Sequence, residues 1–180
     1  MRLTVMTFIA LLTFICWNVK AQTDAGTATG AYVEWLPMTS FQGTQPIELP
    51  PRAITIGALA EFGYMSNGMN FRVSGGRGFG LDGPPLTLTR FDTALLFIFS
   101  VGGSVNGFGD FGTGLLQFDN GILQFWRAIG WIGFGFRVMP FRFFMVVFEL
   151  KRLAIIQLDN PKAPLPRGWV FNFEFLLVGI

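Results

Sequence analysis

Histidine is missing from this 180-residue chain, and cysteine occurs once, as Cys16. Without imidazole there is no Ser–His or Cys–His pair, no histidine general base and no histidine metal ligand. Cys16 falls in an N-terminal targeting segment, so the mature chain holds no disulfide and no thiol chemistry. No cofactor and no metal are expected. Charge is scarce as well: 13% of residues are Asp, Glu, Lys or Arg, against nearer 25% in a soluble domain. Long apolar runs are also lacking. The longest uncharged stretch, Thr93 to Gly109, carries Gly102, Gly103, Asn106, Gly107 and Gly109, which makes a poor membrane-spanning helix. No N-x-S/T sequon and no P-loop lysine occur. Two G-x-G-x-x-G matches, at Gly78-Gly80-Gly83 and Gly107-Gly109-Gly112, do not lie between a strand and a helix. They are read as chance in a glycine-rich chain.

Apolar residues, at 51%, and 22 phenylalanines and 23 glycines dominate what is present. Residues 1–21 have a basic start (Arg2), an apolar stretch from Val5 to Trp17, and Val19-Lys20-Ala21 before Gln22. This predicts a signal peptide cleaved after Ala21, with 22–180 as one mature domain. The bulky Ile15 before Cys16 argues against a lipoprotein signal. The alternative is an uncleaved anchor, for which the apolar run is short. Removal of Arg2 and Lys20 leaves eleven basic residues against eleven acidic ones. That balance gives no reason to expect a nucleic-acid partner. Nine of the eleven cations are arginine, suited to fixed bidentate pairing with carboxylates.

The apolar residues repeat every second position, the period of a strand. In Arg52–Met65, Ile54, Ile56, Ala58, Ala60, Phe62 and Tyr64 point one way, and Thr55, Gly57, Leu59, Glu61 and Gly63 the other. Ser66-Asn67-Gly68 then makes a tight hairpin turn. The stretch Ile122–Leu153 reads as a second hairpin about Met139-Pro140. Trp126, Ala128, Gly130, Ile132, Phe134, Phe136 and Val138 lie on one face of its first strand. Phe144, Val146, Phe148 and Leu150 lie on one face of the second, bracketed by Arg142 and Arg152. Ten such residues, tilted, rise about 25 Å, the height of the apolar band of a membrane barrel.

Further strands are expected at 29–37, with Thr29, Ala31, Val33 and Trp35 opposite Gly30, Tyr32 and Glu34, and at 69–81, 91–101, 110–118 and 169–177. Loops are expected at 39–51, 82–89 and 154–167, and turns at 103–109 and 119–121. Arg77 falls on the apolar parity of its strand, and a bulge at Gly75-Gly76 would shift that register. The count is eight. The fold predicted is all-β, an antiparallel transmembrane up-and-down β-barrel of about eight strands. A compact helical membrane protein is the structural alternative, resting on apolar content alone.

The signal peptide, the alternating strands, the proline-rich loops and the aromatic last strand WVFNFEF together resemble the small eight-stranded outer-membrane barrels of Gram-negative bacteria. The resemblance is to a class, covers nearly the whole chain, and implies an outer-membrane location, a lipid bilayer around the protein, and the outer-membrane assembly machinery as a partner. It departs at the C-terminus, where Ile180 replaces the usual terminal aromatic and sits off the Trp169–Leu177 parity. Barrel enzymes of this class resemble one another in using a catalytic histidine, which this chain lacks.

The candidate site is therefore the lumen. Glu61, Arg72, Asp92, Arg127, Arg137, Glu149 and Lys151 fall on inward parities, with Glu174 beside them. Interior ion pairs are the ordinary use of such charges. A narrow solute or lipid pathway lined by the same residues, or a carboxylate-dependent hydrolase of lipid or glycan, are the alternatives. Trp131, with Phe125, Phe143 and Val147, is expected to fill the lumen. Tyr64, Trp126, Arg142, Arg152 and Trp169 are expected at the membrane interface, with Tyr32 and Trp35. The expected role is non-enzymatic: structural, adhesive or surface-interacting. N-terminal sequencing of the protein from the membrane fraction should begin at Gln22; a chain beginning at Met1 would show an uncleaved anchor instead.

Overall fold

A backbone surrounded by lipid must satisfy its own hydrogen bonds, and an alternating chain does so by closing a sheet on itself. The computed structural model describes residues 25–37, 50–64, 68–122, 124–141, 143–155 and 169–179. They form β1 (Ala25–Pro37), β2 (Arg52–Tyr64), β3 (Gly68–Leu81), β4 (Thr87–Gly102), β5 (Val105–Asp119), β6 (Gln124–Phe141), β7 (Phe144–Ile155) and β8 (Trp169–Gly179). Each strand pairs antiparallel with the next, and β8 pairs with β1, so the sheet is a closed barrel without an edge. No helix among the described residues is long and apolar enough to cross a membrane; the crossing elements are strands, and the helical alternative is set aside.

The pairing register fixes the tilt. A walk across paired residues from Thr27 passes through Phe62, Phe71, Leu95, Phe111, Ile132 and Arg152 to Trp169. Trp169 sits two residues past Phe171, the partner of Trp35, so the walk returns to β1 beside Pro37, ten residues from its start. A shear of ten over eight strands tilts them by roughly 40° from the barrel axis and leaves an interior wide enough only for side chains.

Four expectations change. The 103–109 turn shrinks to a reversal at Gly102, Gly103 and Ser104, where Gly102 (φ 144°) and Gly103 (φ 58°) take backbone angles that favour glycine. Residues 105–109 are strand, and Gly107 is glycine because the Phe99 ring occupies the place of its Cβ. The 82–89 loop is shorter too, since Thr87 already pairs with Asp119. The Gly75-Gly76 bulge is absent: β3 keeps an unbroken register with both neighbours. Those glycines make room instead, Gly75 for the Phe91 ring on the outside and Gly76 for the Tyr32 hydroxyl on the inside. Arg77 therefore stays on the outer face and is exposed. Met139-Pro140 does not turn the chain; β6 runs on to Phe141 with a register slip between Val138 and Phe141. Proline cannot donate to a ladder, so the slip falls there.

The strand ends Tyr64 and Gly68, Gly102 and Val105, and Phe141 and Phe144 lie at one end, called here the turn end. Pro37 and Arg52, Leu81 and Thr87, Asp119 and Gln124, and Ile155 and Trp169 lie at the other, the loop end. At 120–123 the chain reverses through Gly121 (φ 82°), with Asp119 Oδ1 accepting from Gly121 N at 2.8 Å and Asn120 Oδ1 from Ile122 N at 3.1 Å. The 39–49 loop, Arg142 and 156–168 lie outside the described residues; Ala154 and Ile155 still belong to β7 rather than to the loop.

Outside, the barrel is a carpet of exposed rings and aliphatics, including Phe71, Phe97, Phe111, Phe134, Phe148 and Phe171. Inside, interior glycines let large rings lie over the neighbouring strand: Gly112 receives the edge of Trp131, and Gly57 the Tyr32 ring. A Gly112→Val substitution should overpack this layer and cost about 1–3 kcal/mol. Urea-unfolding midpoints in detergent, read by tryptophan fluorescence, would check it; an unchanged midpoint would contradict the packing described.

Candidate functional site

Inward parity on all eight strands carries charge to the middle of the lumen. Among the described residues, Glu34, Glu61, Asp92, Asp110, Glu149 and Glu174 are buried there with Arg72, Arg90, Arg137 and Lys151. Charges removed from water need partners at hydrogen-bond distance, and the partners come from distant strands as well as from the same or a neighbouring one. Arg72 Nη1 on β3 lies 3.0 Å from Glu149 Oε2 on β7 and 2.9 Å from Glu174 Oε1 on β8. Its Nη2 lies 3.4 Å from Glu61 Oε2. Arg137 Nη1 on β6 donates to Glu61 Oε1 at 2.9 Å. Asn70 Nδ2 donates to Glu61 Oε1 at 2.6 Å, and Asn172 Nδ2 to Glu149 Oε2 at 2.9 Å and Glu174 Oε1 at 2.6 Å.

A second group lies nearer the loop end. Arg90 on β4 pairs with Glu34 on β1 and, through Nε, with Asp92 Oδ2 at 2.5 Å. Lys151 joins the two groups, 3.3 Å from Glu149 Oε2 and 3.7 Å from Glu34 Oε1. Two aromatic plates are interleaved with the cations. Trp131 lies under Arg90 (5.2 Å) and Lys151 (5.5 Å) and donates its Nε1 proton to Asp110 Oδ2 at 3.2 Å. Phe108 lies beside Arg72 (5.8 Å) and Arg137 (5.4 Å). Guanidinium over a ring face adds attraction where water is excluded. Gly133, lacking a Cβ, leaves space that Asp110 Oδ1 and Glu149 Oε1 occupy.

Apolar side chains pack above and below this belt. Leu36, Ala53, Leu88, Leu116 and Phe118 are buried toward the loop end, and Ala28, Ile98, Met145 and Leu176 toward the turn end.

Of the residues expected in the lumen, Glu61, Arg72, Asp92, Arg137, Glu149 and Lys151 lie within the network, and Trp131 and Val147 are buried with them. Arg127 stands apart: it is half-buried near the loop end, with Nη1 donating to the Trp126 carbonyl at 3.3 Å. Phe143 leaves the lumen for the 142–143 reversal, 61% exposed and stacked on Phe141. The Phe125 side chain lies outside the described residues. Sequence reasoning missed Arg90 and Asp110 as site residues; a shared parity of Arg90 with Asp92 was the available signal.

Of the expected interface residues, Trp126 and Trp169 point outward and are exposed, the first stacked on Phe91 at 6.4 Å. Arg152 is exposed on the outer face with its guanidinium 5.9 Å from the Trp169 ring. Trp35 is outward beneath Arg52, at 5.7 Å. Tyr32 is a correction: it points inward and is 4% exposed, because it alternates with Ala31 and Val33 on the outer face. Tyr64 closes β2 at the turn end, its side chain outside the described residues, as is Arg142.

No protein-family model and no curated protein matches this chain. Solved structures do match in fold. Neisserial surface protein A is 11% identical, with a TM-score of 0.53 over 88% of this chain and 97% of that one. The N-terminal β-barrel domain of Pseudomonas aeruginosa OprF is 12% identical, with a TM-score of 0.54 over 87% of this chain and 98% of that one. The chain thus has the fold of the small eight-stranded outer-membrane β-barrels.

Removing Arg90 alone would leave Glu34 and Asp92 without their main partner. Arg90→Leu should cost about 3–5 kcal/mol, whereas Arg152→Leu on the outer face should change stability by no more than about 0.5 kcal/mol. Adding Glu34→Gln and Asp92→Asn to Arg90→Leu should recover most of the loss. Equilibrium unfolding in urea would decide; equal losses for Arg90→Leu and Arg152→Leu would contradict the network.

Proposed function

We propose that the protein is a non-enzymatic outer-membrane β-barrel with a structural, adhesive or surface-interaction role. On this reading a cleaved signal peptide delivers it, the loop end faces outward, the turn end faces the periplasm, and the strand WVFNFEF is what the assembly machinery engages. The lipid-facing carpet of phenylalanines supports the bilayer setting, since such a surface is not sustainable in water.

The observation that carries the reading is the lumen. Four cations and six carboxylates, laid across the barrel and closed off by apolar layers at both ends, occupy the space that a solute would use. The carboxylates that a hydrolase would require are engaged with arginine, lysine, asparagine or the Trp131 indole inside the wall of strands. With the lumen filled, the role is assigned to the loop end.

Planar-bilayer recording with refolded protein is the test. The expected trace is flat, without steady single-channel steps. A stable ohmic conductance that shifts in Arg72→Ala and Arg137→Ala would overturn the filled-lumen reading and favour a narrow channel.

A further inference from the structure

The outer surface holds grooves between rows of side chains that neither the lumen nor the loops explain. A groove of about 480 Å³ crosses the lipid-facing side from β6 to β2. It lies between two rows of side chains that follow the pairing ladder. One row is Phe136, Phe148, Phe173 and Val33, paired in turn. The other is Phe134, Leu150, Phe171, Trp35 and Ile54, two residues further toward the loop end. Successive outward residues on a strand stand two positions apart, so neighbouring rows leave a furrow, and at Gly135 its floor is bare backbone. The ring contacts Phe136–Phe148 (5.0 Å) and Phe148–Phe173 (4.7 Å) hold the first wall in place.

The furrow has a direction. Because the strands tilt, each step from β6 toward β2 climbs toward the loop end. Four steps of about 4.8 Å at roughly 40° give a furrow about 19 Å long that spans about 12 Å of depth. One leaflet of hydrocarbon is about 15 Å deep. One strand beyond its upper end, the first row continues from Val33 through Ile56 to Arg77. Arg77 is exposed on the lipid-facing parity, four residues from the loop end of β3, and its cross-strand partner Thr89 presents a hydroxyl on the same face. Among the described residues no carboxylate pairs with Arg77, whereas nearby Arg52 is held by Asp82 at 2.7 Å.

We infer that the Phe136–Val33 furrow and Arg77 together form a binding site for one anionic phospholipid, its acyl chain in the furrow and its phosphate on the Arg77 guanidinium. A cation on the lipid face of a strand is costly at mid-depth and nearly free at the headgroup level. Arg77 stands at that level, and a phosphate supplies the missing counter-charge. The walls fit a flexible chain better than a second barrel, since a furrow one chain wide offers no broad flat patch. The site rests on the bilayer setting proposed above.

The test is electron paramagnetic resonance on protein reconstituted in phosphatidylcholine vesicles, with chain-labelled phosphatidylglycerol or phosphatidylcholine as the probe. Heat-modifiable gel mobility first establishes that each variant is a folded barrel; its loss in the wild type would count against the barrel reading, not against this site. On folded protein, phosphatidylglycerol should be favoured about fivefold at the tightest position. Arg77→Gln should remove that preference, Arg77→Lys should keep part of it, and Val33→Trp, which fills the furrow, should release the immobilised lipid with Arg77 intact. Equal preference in the wild type and Arg77→Gln would overturn the site. So would sedimentation showing a dimer that Val33→Trp dissociates, because a second copy would then cover the furrow.

Discussion

Every charge inside this barrel has to be answered from inside the barrel. Eight strands at a shear of ten leave no space for a column of water, and β-strands alone cannot neutralise a carboxylate. Arg72, Arg90, Arg137 and Lys151 are therefore spread so that each reaches acids on other walls: Arg72 faces Glu149 and Glu174, Arg137 faces Glu61, and Arg90 faces Glu34. The preference for arginine over lysine follows, since a planar fork can serve two or three carboxylates at once. The aromatic plates at Phe108 and Trp131 extend the same economy of space, giving the guanidinium faces a partner where no further oxygen fits.

The glycines belong to this arrangement rather than to flexibility. Gly57, Gly76 and Gly112 stand where a ring or hydroxyl from a strand one or two places along the sheet lies against the inner wall. Gly75 and Gly107 do the same for Phe91 and Phe99 on the lipid side. A chain with 22 phenylalanines in a barrel this narrow needs gaps of one methyl group at defined rungs, and glycine is how a strand supplies them.

Much of the fold was legible because a strand's period is two and lipid makes one parity apolar. Ile54 to Phe62 and Phe144 to Leu150 carried that signal without interruption. The readings that failed did so where glycine or proline has two meanings. Residues 103–109 look like a turn by composition, yet Asn106 and Phe108 alternate inward as strand residues. Pro140 looks like a reversal and is a slip within β6. Those errors also hid part of the site: Arg90 fell next to a supposed loop, and Asp110 at the edge of a supposed turn. Pairings such as Arg72 with Glu149 were beyond reach, since parity fixes which face a residue takes but not which residue faces it across the lumen.

Three of the ion pairs, Arg72–Glu149, Arg90–Glu34 and Arg137–Glu61, link residues 56 to 77 positions apart and join strands that never touch as neighbours. None of these three can exist in a flat or partly curled sheet, where β3 and β7 are four strands apart. A nascent sheet of six or seven strands would thus carry its arginines and glutamates bare toward whatever surrounds it, and hydrocarbon would reject it. Only the meeting of β1 with β8 brings all the partners together at once. The cross-lumen pairs therefore tie the stability of the interior to closure, since each of them is complete only when the sheet is.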